Sequence, residues 1–257
     1  MKTTPKISIV TVCFNAASTI EDTIQSVIRQ TYQNIEYIII DGASTDGTVD
    51  IIKKYRDQIS FFISERDNGI YDAMNKAIKV ATGEWINFMN AGDSFVTKHI
   101  INDIFGQEIT YDGQDVIYGD TLYNYNGSPI TYKAKALSTL DYRMAFCHQS
   151  SYVRTALMKA SGFDLRYRFV ADYAFFHRLY STGHSFYYLP MVMTIYSLEG
   201  GFSHSNILKM MREEHLISQK RDWKWFGHLI HTYQSFLLHR IVTPGILNKL
   251  RKLFTFS

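Results

Sequence analysis

Apolar and polar positions along the first hundred residues change between a strand-like and a helix-like pattern. Apolar runs rich in β-branched residues predict buried strands at residues 7–14 and 35–40, and two further strands are predicted at 59–63 and 85–89. Between them, apolar residues recur at helical spacing and predict helices from residue 20, over 48–55 and over 70–81. We expect Ser18 to cap the first helix, with Glu21 as its capping-box partner. Strands that alternate with helices predict a parallel sheet with helices on its faces.

The second half of the chain continues both patterns with shorter segments. Residues 116–135 predict a strand and a hairpin, with Asn126-Gly127 as the turn. Residues 151–161 and 172–180 predict helices, and residues 186–195 predict a strand. From residue 205 onward the pattern is helical, with an interruption at Pro244-Gly245.

Composition and charge divide the chain into two parts. With 46% apolar and 20% charged residues over 257 positions, the chain is predicted to be one large globular domain with an appendage. From His204 to the end, nine Lys or Arg and three Asp or Glu give +6; the whole chain carries +3, so the remainder carries −3. We therefore expect a main domain over 1–203 and a basic amphipathic helical tail over 204–257. The tail suits an anionic membrane surface, the main domain, or a second copy of the chain in a homodimer.

Several classes of protein are excluded by motifs that the chain lacks. The sequence has no G-x-G-x-x-G, G-x-x-x-x-G-K, H-E-x-x-H or G-x-S-x-G, which removes the usual dehydrogenases, ATPases, zinc proteases and hydrolases. Cys13 and Cys147 give neither a disulfide framework nor metal-binding spacing. The basic residues form no recognisable nucleic-acid module, so we expect no nucleic-acid partner. Without a signal peptide or a membrane-spanning run, we expect a cytoplasmic protein, peripheral on the inner face of the membrane through its tail.

Polar side chains follow each of the four predicted strands, at Asn15, at Asp41, at Asp67 and in the turn at 90–93. Because ligands bind beyond the carboxyl ends of parallel strands, we expect these side chains to form one site. Asp93 could give a hard divalent cation one oxygen ligand and leave positions for phosphate oxygens. Asp172, at the start of a predicted helix between aromatic residues, could be a partly buried general base with a raised pKa. Each segment alone also fits a turn or a helix cap.

Taken in order along the chain, these segments resemble family 2 glycosyltransferases of the GT-A fold. The resemblance extends from about Lys6 to Ser203, which is most of the chain. Its motifs are S-I-V-T-V-C-F-N at 8–15, I-D-G-A-S-T-D-G-T at 40–48, D-N-G-I-Y-D-A-M-N-K at 67–76, F-M-N-A-G-D at 88–93, H-Q-S at 148–150, G-F-D at 162–164, Asp172, and G-G-F-S at 200–203. Several motifs in this order are far more specific than any one of them.

The resemblance implies an α/β GT-A fold, with a mostly parallel central sheet flanked by helices, and a UDP-sugar donor. It implies that five residues cradle the nucleotide: Thr11, Asn15, Asp41, Asp67 and Asn90. Asp93 would match the last aspartate of the family's metal-binding cluster and hold Mn²⁺ or Mg²⁺. Asp172 would be the base of a single displacement that inverts the anomeric carbon, and His148 and Asp120 would lie near the donor or acceptor sugar. The acceptor would be a glycan or a lipid-linked glycan in surface-polysaccharide synthesis.

The chain departs from the family pattern in three respects. Asn90 and Gly92 replace two acids of the metal-binding cluster, so the diphosphate must help to hold the cation. Ala171 stands where a glutamate often precedes the base. The Q-x-x-R-W motif of processive synthases is absent, which favours transfer of a single hexosyl or N-acetylhexosaminyl unit. Two alternatives stay open: a non-catalytic nucleotide-sugar-binding relative, and a sugar nucleotidyltransferase, whose N-terminal glycine-rich loop with basic residues is replaced here by residues 15–18.

Overall fold

Four parallel strands and three helices form the N-terminal half. A computed structural model describes residues 4–106, 111–125, 128–197, 207–218 and 227. The strands are β1 (Ile7–Cys13), β2 (Ile35–Asp41), β3 (Phe61–Ser64) and β4 (Trp85–Phe88), and they lie in the order β3-β2-β1-β4. The helices between them are α1 (Ile20–Ile28), α2 (Thr48–Lys53) and α3 (Ile70–Val80). All the strand pairs in this half are parallel, as the alternating pattern predicts.

The second half extends the same sheet with strands of both directions. Its strands are β5 (Ser94–Phe95), β6 (Val116–Tyr125), β7 (Ser128–Tyr132), β8 (Ser151–Arg154) and β9 (Phe186–Ser197). Its helices are α4 (Ile100–Phe105), α5 (Thr155–Ser161), α6 (Ala171–Ser181) and α7 (Ile207–Ser218). Strand β8 lies antiparallel between β4 and β6, β9 pairs with β6 in parallel, and β5 and β7 add antiparallel edges. The complete sheet is therefore mixed: β1 to β4 form a parallel part at one end, and β6 and β9 form a further parallel pair.

Three local predictions differ from the structure. The helix predicted over 151–161 begins only at Thr155, because residues 151–154 insert as β8 between two strands and bury their β-forming side chains. Ser18 does not cap α1; Thr19 is the N-cap residue without a side-chain bond, and the amide of Ile20 donates to the carbonyl of Ala16 instead. Neither β5 nor α4 was expected from the pattern. The predicted turn at 126–127 lies outside the described residues.

The core has two apolar clusters, one on each face of the sheet. Alternate residues of β1 and β2 enter opposite clusters: Val10 and Ile38 pack toward α3 and α6, whereas Ile9 and Ile39 pack toward α1 and α4. Both faces are therefore buried, which explains why these strands are continuous apolar runs. The arrangement leaves the carboxyl ends of the parallel strands, with their polar loops, as the edge where a ligand can bind.

The first part of the predicted tail packs on the main domain. Ile217 of α7 is buried in the same cluster as α6, and Glu213 accepts hydrogen bonds from the backbone amides of three residues just before α6, which are Arg168, Phe169 and Val170. Most of the remaining tail lies outside the described residues, so its contact with a membrane or a second subunit stays a prediction. Among the helices in the described part of the chain, none combines the length and the apolarity that a membrane span requires.

One buried carboxylate joins three segments beneath the parallel strands. Glu36 of β2 accepts hydrogen bonds from Lys6 Nζ (3.0 Å), from Ser8 Oγ (2.6 Å), and from the amide (2.7 Å) and hydroxyl (2.6 Å) of Thr82. Burial alone would raise the pKa of Glu36, but these bonds outweigh burial and lower its pKa to about 2. The folded state therefore favours the ionised carboxylate more than the unfolded chain does.

Glu36→Gln is expected to lower the free energy of unfolding at pH 7 by roughly 2–3 kcal/mol. Because the pKa is below its ordinary value of 4.5, the stabilisation is complete above that pH and is lost as the pH falls toward 2. Urea unfolding at pH 7 and at pH 3 should show a smaller gap between variant and wild type at the lower pH. Asp57→Asn, a change at an exposed acid, is the control. A gap that is the same at both pH values would contradict the prediction.

Candidate functional site

The loops that follow β1 and β2 are joined to each other by hydrogen bonds. Asn15 has a left-handed φ of 48°, which asparagine tolerates better than most residues. Its Oδ1 accepts the amide of Thr45 (3.0 Å), and its own amide donates to Ser44 Oγ (2.8 Å). Asp41 is fully buried beneath this loop and accepts bonds from the amide of Ser44 (2.9 Å) and from Ser64 Oγ (2.6 Å). Asp41 therefore shapes the loop from below.

Asp67 lies on the open side of the same loop. Its Oδ1 accepts the amide of Gly69 (2.9 Å), and its Oδ2 lies 2.5 Å from the position that a Cβ on Gly42 would occupy. Any larger residue at position 42 would collide with this carboxylate. The structure thus brings Asp67 against the residue that follows Asp41, and Asp67 is the more accessible of the two acids.

Two predicted site residues, Thr11 and Asp120, have buried side chains that are hydrogen-bonded within the fold. Thr11 is fully buried within β1, two residues before its end, and its hydroxyl bonds the hydroxyl of Tyr37 (3.0 Å). Asp120 is also buried, and its Oδ1 accepts the amide of Ala134 and the hydroxyl of Tyr188, both at 2.9 Å. Sequence position alone does not reveal such internal bonding, because each residue does stand in or near a motif of the expected kind.

Asp93 is buried in a tight turn after β4. Gly92 takes a φ of 101°, a conformation that glycine adopts without strain. The Asp93 carboxylate is 5% exposed and accepts bonds from Gln149 Nε2 (2.7 Å) and from the amide of Ser197 (3.2 Å). Burial raises the pKa of Asp93 to about 6, against the opposing effect of these two bonds. The turn is thus tied both to the segment before β8 and to the end of β9.

The donor atoms around Asp93 fit a divalent cation that shares its coordination with a ligand. Asn90 Oδ1 is buried and has no hydrogen-bond partner in the described structure, and it belongs to the same turn as the Asp93 carboxylate. Over the residues that the structure describes, no group of three His, Cys, Asp or Glu side chains is placed to hold a metal ion. Magnesium-type sites commonly use one or two protein oxygens, with phosphate oxygens and waters for the remainder. The turn can supply that smaller share.

Asp172 lies in the first turn of α6 with both carboxylate oxygens engaged. Oδ1 accepts the hydroxyl of Tyr71 (2.8 Å) and the amide of Tyr173 (2.9 Å), and Oδ2 bonds Nδ1 of His148 (2.9 Å). The Tyr71 hydroxyl also lies 3.2 Å from the carbonyl of Phe169. The side chains of Asp172 and His148 are each 17% exposed, so the pair is reachable from solvent.

The predicted raised pKa of Asp172 is wrong. Burial pushes its pKa upward, but the bonds from His148, Tyr71 and the Tyr173 amide outweigh burial and lower the pKa below its ordinary value. The carboxylate is therefore ionised at neutral pH and can accept a proton. No carboxylate precedes it, since residue 171 is alanine, so its state is set by hydrogen-bond donors and not by a second acid.

His148 links the turn after β4 to the carboxylate on α6. Its Nε2 lies 3.2 Å from Asn90 Nδ2, and its Nδ1 lies 2.9 Å from Asp172 Oδ2. The two ring nitrogens of His148 thus face two different partners, an amide on one side and a carboxylate on the other. Asn90, His148, Asp172 and Tyr71 thus form one continuous chain of hydrogen bonds.

Three supporting residues were not predicted: Tyr71, Asn75 and Gln149. Tyr71 holds Asp172, and Gln149 holds Asp93. Asn75 donates to the carbonyl of Phe163 (2.9 Å) and accepts its amide (2.8 Å), which fixes the chain between α5 and α6. All three stand inside the motifs at 67–76 and 148–150. The motifs could therefore have pointed to these three residues, although a motif does not identify which partner each side chain contacts.

The chain is similar in sequence to known glycosyltransferases. Residues 8–178 match the family described as Glycosyl transferase family 2. The PGL/p-HBAD biosynthesis glycosyltransferase of Mycobacterium bovis is 29% identical over 215 residues, which cover 80% of this chain and 82% of that protein. The Escherichia coli UDP-Glc:alpha-D-GlcNAc-diphosphoundecaprenol beta-1,3-glucosyltransferase WfaP is 42% identical over 105 residues, which cover 40% of this chain and 41% of that protein.

A solved structure shares the fold. The mannosyltransferase PcManGT from Pyrobaculum calidifontis, solved with GDP-Man and Mn²⁺, superposes with a TM-score of 0.64 at 16% identity. The match covers 91% of this chain and 70% of that one. The likeness establishes the architecture, which is the GT-A fold predicted from the sequence.

Proposed function

Because the chain belongs to glycosyl transferase family 2, we propose that it moves one sugar from a nucleotide-sugar, a UDP-sugar, to a glycan or lipid-linked acceptor in surface-polysaccharide synthesis. The observation that carries the proposal is the ionised, solvent-reachable carboxylate of Asp172, joined through His148 to the turn that contains Asp93. The name of the E. coli relative, with its UDP-glucose donor and lipid-diphosphate acceptor, supports this substrate class. A lipid-linked acceptor would place the protein on the inner face of the cell membrane.

Asp172 acts in this proposal as the general base for the acceptor hydroxyl. Its Oδ1 already accepts two hydrogen bonds, whereas Oδ2 accepts one from His148 and keeps a lone pair. The acceptor proton moves to Oδ2 as the acceptor oxygen bonds to the anomeric carbon and the bond from that carbon to the diphosphate breaks. A single displacement of this kind inverts the configuration of the anomeric carbon.

The nucleotide side of the site is assigned to the loops after β1, β2, β3 and β4. Asp67 offers the accessible carboxylate for a nucleoside N–H or O–H, and Asn15 and Asp41 hold the loop against which the nucleoside lies. Asp93 and Asn90 would hold Mn²⁺ or Mg²⁺, which supplies positive charge to the diphosphate leaving group. Gln149 positions Asp93 by donating to its Oδ2.

The alternative is a non-catalytic protein that binds a nucleotide-sugar, and Asn90 and Gly92, which replace two acids of the family's cluster, favour it. A catalytic test separates the two. The full-length protein is incubated with UDP- and GDP-sugars, with and without Mn²⁺, and with glycan or lipid-linked acceptors. We expect nucleoside diphosphate release with one donor and a product whose anomeric configuration, measured by NMR, is inverted. Nucleotide binding without turnover across the whole panel would favour the non-catalytic alternative, and a retained configuration would exclude the single displacement.

His148→Ala is expected to shift the acid limb of the kcat profile to higher pH. His148 provides the strongest contact that lowers the pKa of Asp172, and without it burial raises that pKa, so the base is protonated at a higher pH. The measurement is the rate of UDP release between pH 5 and 9. His99→Ala, a change at an exposed histidine, is the control. An unshifted acid limb in His148→Ala would rule out this role.

A further inference from the structure

A cleft of about 620 Å³ lies between α7 and the loop that leads into α6. Its walls include Arg166, Phe169, Lys209, Arg212, Glu213 and Leu216. The loop wall is held in place by Glu213, whose carboxylate accepts the amides of residues 168, 169 and 170. The cleft is therefore formed by two segments that are fixed to each other by hydrogen bonds.

The cleft has a surplus of positive charge. Lys209 and Arg212 stand three residues apart on one face of α7, both are exposed, and neither forms an ion pair with a residue that the structure describes. Lys209 Nζ lies 5.6 Å from the centre of the Phe169 ring. Arg166 is paired with Asp164, and the carboxylate of Glu213 is turned to backbone amides. Two cations are thus left for an anion from outside.

Apolar surface is exposed beside these cations. Leu216, in the wall of the cleft, is 57% exposed, and Leu208, one residue before Lys209, is 51% exposed. Cationic and apolar side chains that share one exposed face suit a ligand with an anionic group and a hydrocarbon chain.

The cleft adjoins the base. Phe169 lines the cleft, and its carbonyl shares the hydroxyl of Tyr71 with the carboxylate of Asp172. We propose that this cleft binds the phosphate group of a lipid-linked acceptor between Lys209 and Arg212, with the lipid chain along Leu216 and the sugar directed toward Asp172. This inference rests on the proposed function and adds the acceptor's chemical class and its site.

The test uses farnesyl diphosphate, a soluble isoprenoid diphosphate, below its micelle concentration. It is titrated calorimetrically into the full-length protein with saturating UDP, so that the donor site is filled. We expect one molecule to bind, and Lys209→Gln with Arg212→Gln to weaken its affinity at least about tenfold. Lys54→Gln with Lys79→Gln makes the same charge change at two exposed lysines that do not line the cleft, one directly after α2 and one in the last turn of α3, and should leave the affinity unchanged. The swap Lys209→Arg with Arg212→Lys keeps both charges and should retain binding.

Several results would overturn the proposal. These are an unchanged affinity in the neutralised variant, equal loss of affinity in the charge-retaining swap, or farnesol binding as tightly as farnesyl diphosphate. If inorganic pyrophosphate bound as tightly as farnesyl diphosphate, the lipid chain would contribute nothing, and the proposed contact of the lipid with Leu216 would be wrong. UDP affinity, measured in each variant, shows whether the fold is intact. If no donor is turned over but the cleft still binds the probe, the proposed function fails alone; if transfer proceeds and the neutralised variant binds normally, the cleft proposal fails alone.

Discussion

Replacing Asp172 with Asn should lower kcat for sugar transfer by about 10²- to 10⁴-fold, the usual range for loss of a positioned general base. The carboxamide keeps nearly the same shape, and its oxygen can still accept the bonds from Tyr71 and the Tyr173 amide. Its nitrogen, however, stands where Oδ2 accepts a proton, and a carboxamide nitrogen has no basicity at neutral pH. The rate of UDP release measures the loss, and calorimetry with UDP should show unchanged nucleotide affinity.

Asp103→Asn is the matched control for this experiment, because it makes the same chemical change at an exposed acid in the first turn of α4. It should retain wild-type kcat. If Asp172→Asn kept a rate within about twofold of wild type, the proton would have to leave by another route, and Asp172 would be a structural residue. A variant that lost nucleotide affinity as well would instead indicate a damaged fold.

Asp93→Asn should lower kcat by about 10²- to 10³-fold and raise the Mn²⁺ concentration needed for half-maximal activity. Asp93 is the one carboxylate in the turn at 90–93, so its loss leaves only neutral oxygens to hold a cation there. The new amide nitrogen also faces either Gln149 Nε2 or the amide of Ser197, both of which donate. Titration of Mn²⁺ at saturating donor measures the effect.

Asp103→Asn again provides the control, now for the metal titration. The melting temperature of each variant establishes that the comparison is between folded proteins. If Asp93→Asn showed the same Mn²⁺ requirement and the same kcat as wild type, the cation would not be held by this turn. The depleted acidic cluster would then be a loop that only shapes the site.

Sequence patterns predicted the parallel half of the fold because three of its strands, β1, β2 and β4, are buried on both faces. Such strands are unbroken apolar runs, and the helices between them have a clear apolar face. Strand β8 was missed because residues 151–154 are too few to distinguish strand from helix by period. Only their insertion between β4 and β6 decides the conformation, and that is a tertiary effect. Strand β5 has two residues and gives no pattern at all.

The sequence indicated which residues come together in the candidate site, but it did not indicate which side chains they contact. Asn90, His148 and Asp172 do meet, and Asp93 lies in the same turn as Asn90. One partner of Asp172 is Tyr71, 101 positions earlier, and no local spacing carries that information. The pKa of Asp172 was predicted in the wrong direction for the same reason. Burial could be inferred from the aromatic neighbours, whereas the three donors could be recognised only from coordinates.

Tyr71 and Asn75 lie four residues apart on α3, and so both point from one face toward the segments around the base. Each residue added to a helix turns everything after it by about 100°. One residue inserted between Tyr71 and Asn75 would therefore turn the two side chains apart by about 100°, so that they could no longer reach Asp172 and Phe163 together. Insertions and deletions among natural or engineered versions of this protein should therefore fall in its loops, and the number of residues in α3 should stay constant.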